Sequence, residues 1–116
     1  MIARLWSARA SAPQCRAYLE HFDRSIVPKL RELEGYVGAT VLTRRADKEV
    51  EVLVATLWRS LEAIQEFAGP DIEAAVVAEE AAVLLTKFDR RVRHFEVVST
   101  DQPRGSSISL SPSKDY

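Results

Sequence analysis

The apolar residues Cys15, Tyr18, Leu19, Phe22, Ile26, Leu30 and Leu33 recur at intervals of three and four, the spacing that lines one face of an α-helix. A strand alternates its side chains and cannot present such a stripe to one side. The chain must therefore build a long amphipathic helix and supply an apolar surface to receive it. Ser11-Ala-Pro-Gln14 stands just ahead of the stripe: Ser11 suits a helix cap, Pro13 is tolerated in a first turn, and Gln14 occupies the capping-box position. Gly35 ends the helix. Pro28 falls inside it, where proline removes one hydrogen bond and crowds the carbonyl four residues back, so the spacing predicts a kink or break near Ser25.

The receiving surface is a sheet. Ile2 to Ala8, Tyr36 to Thr43, Val50 to Trp58 and Arg91 to Ser99 are short runs of large or β-branched residues that suit strands. The polar segment 44–49 turns the second run into the third as a hairpin. Ser60 can cap a second helix carrying Leu61, Ile64 and Phe67, which Gly69-Pro70-Asp71 ends; a third helical stretch, capped by Asp71 and rich in Ala, Val and Leu, is expected to reach about Lys87. Strand, helix, strand, strand, helices, strand is the split βαβ order, which predicts an α+β, ferredoxin-like domain over 1–100. Its antiparallel sheet should run fourth, first, third, second, with the helices on one face. Val50, Val52 and Val54 alternate with Leu53, Ala55 and Leu57, so both sides of the third strand are apolar and the second sheet face needs a cover. A homodimer is the economical cover. Residues 101–116, with five serines and two prolines after Asp101 and no helical period, read as a mobile tail.

At 116 residues and 47% hydrophobic content the chain can build one packed core. Its 16 Lys and Arg nearly balance its 17 Asp and Glu, so no broad field exists to draw nucleic acid or an anionic membrane. The opening MIARLWSARA lacks the charged start and long apolar run of an export signal, and no stretch approaches a membrane span. Cys15 is the single cysteine, which rules out an internal disulfide and a cysteine-based zinc cluster and fits the cytoplasm. The two histidines, His21 and His94, form no local metal motif, and no glycine-rich phosphate loop is present. Neither a metal nor a cofactor is expected.

Ala3-Arg-Leu-Trp6, Gly35-Tyr-Val-Gly38, Trp58-Arg-Ser60, Phe67-Ala-Gly69 and Val92-Arg-His-Phe-Glu-Val97 together resemble the antibiotic biosynthesis monooxygenase-like family over roughly residues 1–98. The resemblance implies a dimeric α+β barrel in which two sheets meet. It also implies an activity from a group that includes cofactor-free oxygenases of polycyclic phenols, quinol oxygenases and haem-degrading enzymes. The haem-degrading branch uses an Asn on the first strand, a Trp ending the third and a His one helix further on. Trp58 matches the Trp, but Trp6 and Ser7 stand where the Asn is expected, and the helix after Trp58 has no histidine.

Oxygenation without metal or flavin needs an electron-rich aromatic whose anion passes one electron to dioxygen, and a protein that stabilises the anion. On that reading His94 is the candidate base, Arg4 the cation for the oxyanion, and Trp6, Trp58 and Phe67 the water-excluding wall of the substrate site. Glu96 shares His94's side of the strand and joins the substrate-binding candidates, or pairs with Arg4 as an ion pair that sets register. Core packing is the alternative role for the rings, and a hydrogen-bonded structural role the alternative for His94. The activity expected is a cofactor-independent monooxygenase acting on a small aromatic. The alternative is a non-catalytic dimer that binds a small apolar molecule or serves as a stress-related accessory protein, with haem degradation behind both.

Overall fold

The computed structural model describes residues 1–101. The tail expected from 101 onward therefore lies, beyond Asp101, outside the described residues. Five strands form one sheet: β1 Ile2–Ala10, β2 Tyr36–Ala46, β3 Glu49–Trp58, β4 Lys87–Phe88 and β5 Arg93–Glu96. The order is β2-β3-β1-β4, with β5 also paired to β1, and every pairing is antiparallel. This is the expected order. The expected last strand, Arg91 to Ser99, is the shorter β5, against Ile2 to Leu5, and the short β4, ahead of the expected bounds, pairs with Ala8 and Arg9.

The helices are α1 Ala12–His21, α2 Val27–Arg31, α3 Leu61–Ala68 and α4 Glu79–Ala82. Ser11 accepts from the Gln14 N–H and Ser60 from the Ala63 N–H, so two of the three predicted caps form. Among the described residues no helix is long and apolar enough to cross a membrane. The break forecast near Ser25 takes the form of a π-helical turn over Phe22–Ile26, where the Val27 N–H reaches back to the Phe22 carbonyl. Pro28 has no N–H to offer the Arg24 carbonyl, and the wider turn also relieves its ring from that oxygen. The stripe continues across it, since Cys15, Tyr18, Phe22 and Leu30 are all buried.

The third helix is a correction. Only the four residues of α4 are α-helical between Asp71 and Lys87. Within the stretch before α4, the Ile72 and Ala74 carbonyls accept from the Arg4 side chain, and Ala74 bridges to Arg91. Carbonyls engaged by distant partners are lost to a helical ladder, and tertiary contacts override local propensity. Asp71 accordingly caps no helix: its carboxylate accepts from the Glu73 N–H and pairs with Arg91.

Burial alternates strictly along β3, with Val50, Val52, Val54, Thr56 and Trp58 buried under the helices and Glu51, Leu53, Ala55 and Leu57 half-buried on the far side. Gly35 connects α2 to β2 at φ +91°, and a Cβ built there would stand 2.5 Å from the Ala63 Cβ on α3. Gly35→Ala forces both a disfavoured backbone and a clash, and is expected to cost about 2 kcal/mol. A thermal melt should show a drop of roughly 4–8 °C for each kcal/mol lost. An unchanged melting temperature would mean that α3 yields freely.

Candidate functional site

The helix-side face of the sheet is set by register. Arg4 of β1 lies between Thr56 of β3 and His94 of β5, Trp6 lies beside Val54, and Ile2 lies between Trp58 and Glu96. Directly paired residues share a face, so the Arg4 and His94 faces, whose coincidence the strand pattern left open, do coincide. Between this face and the helices is a cavity of about 70 Å³. Arg4, Trp6 and Thr56 form its floor, Tyr18, Phe22 and Ile26 one wall, and Phe67 with the segment 76–81 another.

Arg4 is 4% exposed and is, among the described residues, the single charged side chain lining the cavity. Its Nη1 donates to the Ile72 carbonyl and to His94 Nε2 at 2.9 Å, its Nη2 donates to the Ala74 carbonyl at 2.7 Å, and its guanidinium lies 5.6 Å from the Phe67 ring centre. No carboxylate of a described residue pairs with it. Burial lowers its pKa to about 10, which leaves it charged at neutral pH. Three of the five guanidinium N–H groups are thus bound to protein, and two remain to meet a guest.

The remaining sequence candidates divide. Trp6 and Phe67 line the cavity; Trp58, His94 and Glu96 do not. Trp58 is completely buried beneath it, stacked on Phe67 at 5.5 Å, edge-on to Tyr36 at 5.5 Å, and donating from Nε1 to Thr56 Oγ1 at 2.8 Å. It supports the wall and does not form it. Glu96 is exposed opposite Ile2, so Arg4 meets His94 and not Glu96. His94 is half-buried, with Nε2 turned to Arg4. The cavity also uses residues that the sequence reading did not single out as functional. Tyr18 packs 5.9 Å from Trp6 and burial keeps its phenol protonated, and Thr56 brings a hydroxyl. The helical stripe marked Tyr18 as inward-facing, but nothing local tells a core position from a cavity wall.

At about 70 Å³ the cavity is below the roughly 150 Å³ that accepts benzene and well below the roughly 300 Å³ of common ligand sites. A larger ring enters only if a wall moves. Segment 76–85 suits this, because its backbone hydrogen bonds are local, while its neighbours are pinned by Ala75 N–H to the Arg90 carbonyl and Thr86 N–H to the Arg9 carbonyl. The lining offers no imidazole, so these residues do not fit the histidine-ligated haem of the degrading branch.

A ferredoxin-like sheet covered on one face by helices, with an aromatic cavity between the layers, defines the class: the chain has the fold of antibiotic biosynthesis monooxygenase-like proteins. The resemblance drawn from the motifs holds at that level. An antibiotic biosynthesis monooxygenase-type protein from Bacillus cereus is similar with a TM-score of 0.63 at 17% identity, over 89% of this chain and 96% of that one. The haem degrader MhuD from Mycobacterium tuberculosis, with two haems in its active site, gives 0.57 at 25% identity, over 88% and 100%. SnoaB, a cofactor-independent oxygenase from Streptomyces nogalater, gives 0.52 at 19% identity, over 85% and 93%. No family model matches the chain. No curated protein matches it either.

Proposed function

We propose that this chain is a cofactor-independent monooxygenase whose substrate is a small aromatic with an ionisable oxygen, such as a phenol, anthrone or quinol, bound between the sheet and the helices. Arg4 carries the reading: a buried cation without a carboxylate partner among the described residues, at the wall of an aromatic cavity. Burying an unpaired charge is costly, and an anion entering beside it offsets that cost. The same field lowers the pKa of a bound phenol, so its proton leaves more readily. The substrate anion then passes one electron to dioxygen, and the resulting radicals combine at carbon as a peroxide anion. This takes up the released proton and loses water with the hydrogen on that carbon, leaving one oxygen as a carbonyl. Trp6, Tyr18, Phe22 and Phe67 exclude water from that step. The oxygenase fold shared with SnoaB supports the reading.

Binding without turnover is the second reading. It is favoured by the lining itself, which contains neither a carboxylate nor a histidine to serve as a base. Oxygen uptake with anthrones, hydroquinones and hydroxynaphthoquinones, measured for wild type and Arg4→Met beside a melting assay for each compound, separates the two. Turnover by wild type that the variant lacks supports the oxygenase. Raised melting temperatures without oxygen uptake support binding alone.

The open sheet face supports a homodimer. Leu42 and Phe95 are exposed there, beside half-buried Leu5, Leu53 and Leu57. A patch of this kind is covered in most soluble proteins. Leu53→Arg places a charge at its centre and is expected to convert a dimeric mass to a monomeric one by light scattering at micromolar concentration. A monomeric wild type would remove the dimer. Buried, unpaired Cys15 suits a reducing compartment, and the proposal places the protein in the cytoplasm.

A further inference from the structure

His94 and Arg4 meet across the β1–β5 register with Nη1 and Nε2 2.9 Å apart. A guanidinium only donates, so His94 Nε2 must hold a lone pair toward it, and the neutral imidazole must carry its proton on Nδ1. That lone pair is occupied. The Ile72 and Ala74 carbonyls are the other two acceptors, and the three together fix the plane of the fork beneath the cavity. Conversion to imidazolium turns the acceptor into a donor and sets two cations against each other.

We propose, building on the reading of the cavity as a site for an aromatic anion, that His94 is a positioning residue: as a neutral acceptor it aims Arg4 at the cavity, and its protonation releases Arg4 and weakens anion binding. The charged groups facing His94 are Arg4 from β1 and Glu73 from the segment after α3, and Glu73 is itself paired with Arg91. Burial and then Arg4 press the His94 imidazole below its ordinary value, against a smaller opposing pull from Glu73. The direction agrees with the geometry. With the folded value lowered, the unfolded chain takes up the proton first as the pH falls. The stabilising contribution is therefore complete above about pH 6.5 and declines as the pH drops from there toward the folded value.

The test uses the full chain with benzoate, which stays mostly ionised down to about pH 5, and benzyl alcohol as the neutral comparator. Nitrogen-detected NMR should show neutral His94 protonated on Nδ1. Between about pH 7.5 and pH 5 wild type should lose benzoate affinity by roughly twofold or more, with the loss steepening as the pH falls toward about 5 and benzyl alcohol unaffected. His94→Gln, whose amide oxygen accepts from Arg4 at either pH, should bind benzoate with no such pH dependence. A neutral His94 protonated on Nε2, or the same pH-dependent loss in His94→Gln, overturns the positioning role and leaves the cavity reading standing. Absence of benzoate binding by wild type at about pH 7.5 overturns both. The NMR assignment needs no variant, so it decides the hydrogen-bond direction even if His94→Gln folds poorly.

Discussion

Replacing Trp58 by alanine is expected to cost about 3–5 kcal/mol, a large part of the roughly 5–15 kcal/mol that holds a domain of this size folded. The indole has no exposed surface, lies under Phe67, meets the Tyr36 edge, and satisfies its N–H on Thr56. Truncation leaves a void beneath the cavity at the end of β3, frees Thr56 Oγ1 of its donor, and undermines the ring that forms one cavity wall. Trp58→Phe keeps most of the packing and should lose nearer 1 kcal/mol with the hydrogen bond. Chemical denaturation of the three proteins checks the order. The motif resemblance placed Trp58 in the substrate site; if Trp58→Ala melts like wild type yet loses ligand, that assignment holds and the supporting role described here does not.

Arg4→Met should give the largest functional change. It nearly preserves side-chain volume but removes the cavity's single charge, so turnover of a phenolic substrate should fall by about 10²–10³, the usual consequence of deleting one oxyanion donor. Stability responds less. The Ile72 and Ala74 carbonyls lose their donors at about 1–3 kcal/mol each if they stay buried, while removal of a desolvated cation without a counter-ion works in the opposite direction. The expected pattern is a modest shift in melting temperature beside a large loss of oxygen uptake and anion affinity. Arg4→Lys retains charge without the planar fork, and should recover part of the binding but not the three-way anchoring. Unchanged anion binding in Arg4→Met would reduce Arg4 to a clip for the segment after α3.

The same two residues show how far local pattern reaches. Arg4 and Trp6 share a side by alternation, His94 and Glu96 share another, and both facts depend only on the two-residue period of a strand. Which of the second pair meets Arg4 depends on register between segments some ninety positions apart, and a one-residue slip would turn every side chain to the opposite face. Glu96 was as eligible as His94 until that register was known. The stretch after Asp71 illustrates the converse, because its Ala, Val and Leu content favours a helix that its carbonyls, held by Arg4, do not build.

The sequence by itself determined the α+β class, the strand order, the two helix caps and the interruption at Pro28, since these follow from periodicity, from capping chemistry and from the missing N–H of proline. It also carried the family resemblance that the fold bears out. Only the tertiary structure decided that Trp58 is buried beneath the cavity, that Arg4 meets no carboxylate among the described residues, and that His94 accepts from it. Those are properties of contacts between distant segments, and their energies depend on burial and geometry that no local run of residues encodes.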